Sequence, residues 1–188
     1  RYIVGRASLR SVLGVAIGMR PASVPIVSGE RGRPRLADGG HAGTGASSPG
    51  GAGVPRLDFN ISHTAGVAMI GVASGMRIGV DIERRDRAIN AAGIARKFLS
   101  AAERADLATL SADAARQRIL ALWTCKEAMS KATGDALSAP FAAMSVGLAG
   151  GPRLDDGPAP YVSARWELCS ASAPADYFAT VALWRRGG

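Results

Sequence analysis

The 188 residues suffice for one domain or two small lobes sharing a core, and a hydrophobic fraction of 47% is that of a globular protein. No apolar run is long enough to cross a bilayer, and 2 cysteines are too few for a disulfide framework or a cysteine-built zinc site. The formal charge of +8, from 23 Lys+Arg against 15 Asp+Glu, favours polyanionic partners: nucleic acid, a phosphorylated cofactor or an acidic protein.

Along the chain, the opening Arg1-Tyr2-Ile3-Val4-Gly5 lacks the form of a signal peptide, and a start at arginine is expected of a trimmed chain. Residues 1–19 are expected to be helical. Ile3, Leu9, Val12, Leu13 and Ala16 recur at helical spacing, Arg6 and Arg10 share another face, and Pro21 ends the run. A short apolar piece then leads into the basic turn Gly32-Arg33-Pro34-Arg35. Residues 37–55, rich in Gly, Ala and Ser, carry too little apolar side chain to pack and are expected to form a flexible loop. Phe59 to Thr64 is placed just before a strand, and Val67–Ala73 and Arg77–Glu83 read as two strands joined by Ser74-Gly75.

A helix is predicted from about Ile89 to Leu99, and the capping-box form of Ser100 with Glu103 starts another. Asp113 to Thr133 is the longest predicted helix. Its buried side carries Ile119, Leu120, Leu122, Trp123 and Met129, and Gly134 is placed to close it. Tyr161–Leu168 and Tyr177–Trp184 alternate as strands around the turn-rich residues 170–174. The mixture is α+β. Aromatic residues at 5% and dispersed arginines argue against a stacking platform for single-stranded nucleic acid. Cys125 and Cys169 read as two reduced thiols of a cytosolic protein.

Three groups of residues carry chemistry. In Ile78-Gly79-Val80-Asp81-Ile82-Glu83, strand alternation puts the carboxylates of Asp81 and Glu83 on one side and Ile78, Val80 and Ile82 on the other. Two acids so placed repel each other unless a cation lies between them, and a hard ion such as Mg²⁺ takes oxygen ligands. Taken alone, such a pair is more often a solvated strand end. Within the long helix, Trp123, Glu127 and Lys131 fall at i, i+4 and i+8, one face. Glu127 and Lys131 make an ordinary surface pair unless a third carboxylate is needed near the strand pair, which would leave the lysine for phosphate. In Phe59-Asn60-Ile61-Ser62-His63-Thr64, serine beside histidine invites a hydrolase reading. Neighbours on an extended segment point apart, however, and no nucleophile elbow surrounds Ser62, whereas His63 suits a phosphate contact.

In this order, Asn60-Ile61-Ser62-His63, Ile78–Glu83 and Trp123-x-x-Lys126-Glu127-Ala128-x-x-Lys131 resemble the motif series of the 4′-phosphopantetheinyl transferases. The separations are similar to those of the larger type, which activates peptide and polyketide synthases. Lys97-Phe98-Leu99-Ser100 with Glu103, Gly32-Arg33-Pro34, Arg1-Tyr2 with Arg10, Leu137–Phe141 and Ser145-Val146 extend the resemblance over most of residues 1–148. It implies two similar α+β lobes related by a pseudo-twofold, each with a small antiparallel sheet packed on helices. The N-terminal lobe would span residues 1–75 and the C-terminal lobe, with the metal motifs, residues 76–188. The resemblance further implies coenzyme A as co-substrate in the cleft and Mg²⁺ held by Asp81, Glu83 and Glu127. Lys131 is then set on the pyrophosphate, and Arg33 (lysine in many members), Ser62, His63, Arg6 and Arg10 on the cofactor. Glu127 and Lys131 carry the catalysis, Glu127 as base for the carrier serine. The implied partner is an acidic acyl or peptidyl carrier protein, modified by a cytoplasmic monomer that binds neither nucleic acid nor membrane. Rival readings are a non-catalytic basic nucleic-acid-binding module, the small trimeric holo-carrier synthase, and an inactive relative that only binds coenzyme A.

Overall fold

The structure, a computed structural model, describes residues 2–29, 32–37 and 56–186. The glycine-rich stretch expected to be flexible lies, from residue 38 onward, outside them. The first helix, α1, runs Tyr2–Ile17 and buries Leu9, Leu13 and Ile17, one turn apart, against Val24, Leu36 and Phe59. Val12 and Ala16, predicted on the buried side, face outward instead. Both stripes have helical spacing, and the bulkier one is covered. Strands β1 (Ile26–Ser28) and β2 (Pro34–Leu36) then form a small antiparallel pair.

Strands β3 (Leu57–Thr64) and β4 (Val67–Ser74) make a hairpin turned at Gly66, whose φ of 87° suits glycine. The Ser62-His63 segment therefore lies within a strand rather than just before one. Strand β5 (Arg77–Arg84) follows across Gly75 as predicted, yet it leaves β4 and pairs with β9 (Tyr177–Trp184). Strand β8 (Trp166–Ser170) completes a three-stranded antiparallel sheet in the order β5-β9-β8. The predicted strand 161–168 begins only at Trp166, because a 3-10 turn at Ser163–Arg165 precedes it.

Between β5 and β8 come α2 (Ala91–Phe98), α3 (Ala101–Leu107), α4 (Ala112–Thr133), and the short antiparallel pair β6 (Ser145–Gly147) and β7 (Arg153–Asp156). The predicted capping box is formed: Ser100 Oγ accepts from Glu103 N–H, and the Glu103 carboxylate accepts from Ser100 N–H. Ser111 caps the start of α4, and Gly134, with φ 87°, closes it. One apolar cluster joins α4 to Leu99, Phe141, Met144, Tyr161, Trp166 and Ala182, and a second joins α1 to Val24, Leu36 and Phe59. Among the described residues no helix is long and apolar enough to cross a membrane.

Candidate active site

Strand β5 lies between the β3–β4 hairpin and α4, and its alternation sorts side chains between them. Ile78, Val80 and Ile82 are buried, and a Cβ added at Gly71 of β4 would stand 2.7 and 2.6 Å from Ile78 and Val80 side-chain carbons. Gly79, Asp81 and Glu83 face the other way. A Cβ at Gly79 would come within 1.9 Å of the Ala128 carbonyl, so glycine there lets α4 lie directly on the strand. That close approach brings Glu127 and Lys131, on either side of Ala128, to the two strand carboxylates.

Polar groups of β3, β5 and α4 converge at this contact. Lys131 Nζ donates to Asp81 Oδ1 at 2.6 Å and to Ser62 Oγ at 2.9 Å, and Ser62 Oγ donates to Asp81 Oδ1 at 2.8 Å. Asp81 is 4% exposed and its Oδ2 is buried with no hydrogen-bond partner, a position in which a carboxylate oxygen lacks its usual compensation. Glu83 pairs with Arg87. Burial first, then the nearby Asp81 charge, push the Glu83 carboxyl above its ordinary value, while Arg87 and Lys131 oppose the rise. The Glu127 carboxyl is likewise raised by burial and then Asp81, with Lys131 opposing and Glu83 adding to the rise. Three acids thus form one electrostatic unit. Among the described residues no group of three or more His, Cys, Asp or Glu stands in position to hold a metal ion; Lys131 and Arg87 are the cations against Asp81 and Glu83.

Strand β3 reaches the site through alternate side chains. Asp58 Oδ2 accepts from Ile78 N–H at 2.8 Å, Asn60 Oδ1 from Val80 N–H at 3.0 Å, and Ser62 meets Asp81. These side chains take the place of a backbone ladder along the edge of β5. Asp58 was not legible as a site residue, although the period-two run Asp58-x-Asn60-x-Ser62 carries the signal. His63 is exposed, and by alternation it points away from Ser62.

Two of the predicted phosphate contacts are otherwise engaged. Arg33 has a side chain only 9% exposed and holds Asp58 bidentately, both bonds at 2.8 Å, together with the carbonyls of Phe59, Ile78 and Lys131. The guanidinium thus has its donors turned to groups of the protein itself. Arg10 donates to the carbonyls of Pro21, Ala22 and Val24, fixing the turn after α1. Arg6 is exposed on α1. Burial raises the Cys125 thiol to about 11, so it is no nucleophile at neutral pH.

The sequence model of the 4′-phosphopantetheinyl transferase superfamily matches residues 77–182, more than half of the chain. The 4′-phosphopantetheinyl transferase HetI of Nostoc sp. is 33% identical over 138 residues, covering 73% of this chain and 53% of that protein. The transferase Sfp of Bacillus subtilis is 28% identical over 148 residues, covering 79% of this chain and 58% of that protein. The chain therefore spans about half the length of the curated relatives it matches. Among solved structures, Thermotoga maritima holo-[acyl-carrier-protein] synthase aligns at a TM-score of 0.46 and 17% identity, covering 59% of this chain and 64% of that one. With the matched span running from β5 through α4 into β9, the chain belongs to the 4′-phosphopantetheinyl transferase superfamily.

Proposed function

We propose that this protein, of the superfamily's larger type, transfers the 4′-phosphopantetheine arm of coenzyme A to a serine of an acidic acyl or peptidyl carrier protein and releases 3′,5′-ADP. The observation that carries this reading is the convergence of Ser62, Asp81 and Lys131 in mutual hydrogen bonds with Glu83 and Glu127 coupled to them. The two apolar clusters, one drawing on residues before 75 and the other on residues after it, support a division into lobes at 1–75 and 76–188. A cytoplasmic monomer is the form we propose for it.

The donor set fits a hard divalent cation: all oxygen, three carboxylates, one buried oxygen of Asp81 without a partner. Mg²⁺ held by Asp81, Glu83 and Glu127 would neutralise the pyrophosphate oxygens of coenzyme A. Lys131, with a side chain 27% exposed, is accessible enough to turn from Asp81 toward a phosphate and stabilise charge as it develops. The carrier serine oxygen bonds to the phosphorus nearer pantetheine, the bridging P–O bond breaks, and 3′,5′-ADP leaves with the electron pair. Glu127 takes the serine proton, directly or through a water. Its raised proton affinity is in the direction that a base at neutral pH requires.

The deciding experiment mixes protein, coenzyme A, Mg²⁺ and an apo carrier, then weighs the carrier by mass spectrometry. The carrier is expected to gain one phosphopantetheine, with no gain under EDTA or with the carrier serine replaced by alanine. No gain on fatty-acid, polyketide and peptidyl carriers alike, from folded protein, defeats the proposal. Salt-sensitive retention on DNA or RNA would instead favour a nucleic-acid module, against which the three acids stand.

Kinetics separate the phosphate contacts. His63→Ala is expected to raise KM for coenzyme A more than it lowers kcat, because it removes a contact distant from the bond that breaks. Lys131→Ala is expected to do the reverse. The same pattern in both variants contradicts this division of labour.

A further inference from the structure

Arg33 touches three elements, and they are the same three that build the site. Its Nε donates to the Lys131 carbonyl in the last turn of α4 at 2.8 Å, across 98 residues of sequence. Its Nη2 donates to the Ile78 carbonyl of β5 at 2.7 Å and to the Phe59 carbonyl of β3 at 3.2 Å. Ile78 stands three residues before Asp81, and Phe59 three residues before Ser62. Lys131 itself supplies both the clamped carbonyl and the Nζ that meets Asp81 and Ser62.

We infer that Arg33 is a positioning residue that sets Lys131, Asp81 and Ser62 in register for phosphoryl transfer. The guanidinium is itself oriented by Asp58, which holds it bidentately at 2.8 Å and also accepts from Ile78 N–H. Its alkyl chain packs on the C-cap of α4, where a Cβ on Gly134 would lie 3.6 Å from Arg33 Cδ. A cation at that helix end also opposes the negative end of the helix dipole. A planar fork with fixed donor directions can bind two carboxylate oxygens and three carbonyls at once, one Nη2 N–H being shared between two acceptors. The three protons of a lysine ammonium cannot reproduce that pattern. A loosened clamp lets α4 shift along β5, and a displacement of about 1 Å at the reacting groups can cost up to about 10²-fold in rate.

This inference rests on the transferase reading, and the test has one arm that does not. Arg33→Lys and Arg33→Met are compared with wild type well below their melting temperatures, by carrier-modification kinetics and by amide hydrogen exchange. A positioning role predicts kcat lower by about 10-fold to 10²-fold in Arg33→Lys with KM for coenzyme A within about twofold. A rise in KM that matches or exceeds the fall in kcat, or unchanged kinetics, overturns it, the former marking a direct phosphate contact. Hydrogen exchange should quicken within the three clamped stretches, residues 58–62, 78–82 and 129–135, and not elsewhere. Exchange that quickens evenly throughout the chain, or nowhere, also overturns it. Should wild type modify no carrier, the transferase reading fails by itself, and the exchange pattern still decides whether Arg33 ties these elements together. Arg33→Lys answers the question even if Arg33→Met does not fold.

Discussion

Lys126→Ala is expected to destabilise the fold by about 3–5 kcal/mol, the range found when one partner of a buried ion pair is removed. Lys126 is 0% exposed, and its Nζ lies 2.7 Å from Glu103 and 3.0, 2.7 and 2.8 Å from the carbonyls of Phe98, Phe141 and Met144, so that its three protons are shared among four acceptors. Burial draws its pKa down, while Glu103 holds the charged form. The same Glu103 carboxylate closes the α3 capping box and accepts from Val146 N–H. One ammonium therefore ties α4 to the end of α2, the start of α3 and the segment before β6. Removing it leaves Glu103 as a buried anion with neutral donors only. Urea unfolding of Lys126→Ala and of the double variant Lys126→Met/Glu103→Gln checks the argument. The double variant should recover part of the loss, since it removes both charges together. A loss under about 1 kcal/mol in Lys126→Ala, well below the buried-pair range, would show that this network carries little of the stability.

What the sequence made legible was local. The Ser100–Glu103 box, the Gly134 cap and the shared side of Asp81 and Glu83 follow from spacings of two to four residues, and all are present. Strand pairing was not legible: β4 and β5 are joined by a tight turn yet belong to different sheets. Pairing depends on which edge is nearest, and β5 found the edge of β9. The three- and four-residue strands β6 and β7 are too short to show alternation. Arg33 and Asp58 were the hardest to read. A basic residue in a turn reads as surface or ligand-binding, and nothing within a short window tells that Lys131, 98 residues on, will need its carbonyl capped. The motif singled out the position, and only the folded chain shows its donors turned to Asp58 and to three backbone carbonyls. Lys126 posed the same difficulty: it sat inside a quoted motif, and only the folded chain shows that it faces inward while Glu127 beside it faces the site.

Alanine at Asp81, Glu83 or Glu127 is expected to lower carrier-modification turnover by on the order of 10²–10³-fold, comparable to losing one charge-stabilising contact in a buried site, while the fold persists. Folding survives because each substitution removes one of three mutually repelling acids. Glu127→Gln removes the charge that both burial and Asp81 disfavour. Its carboxyl is raised above the ordinary value of 4.5 by burial and Asp81, so the folded state holds a proton there that the unfolded state has already lost. Its contribution to stability is therefore complete below pH 4.5 and is lost as pH rises through the raised value. In EDTA, Glu127→Gln should melt above wild type at pH 8, with the gap narrowing as pH falls toward 4.5. Added Mg²⁺ should raise the wild-type melting temperature at pH 8 and leave Glu127→Gln much less affected, because ligand binding to the folded state alone stabilises it. An equal gap at both pH values would mean that neither burial nor the Asp81 charge raises the Glu127 carboxyl in the folded protein. Wild-type turnover in Asp81→Ala would remove the metal assignment altogether, since Asp81 carries the buried oxygen without a partner on which that assignment depends.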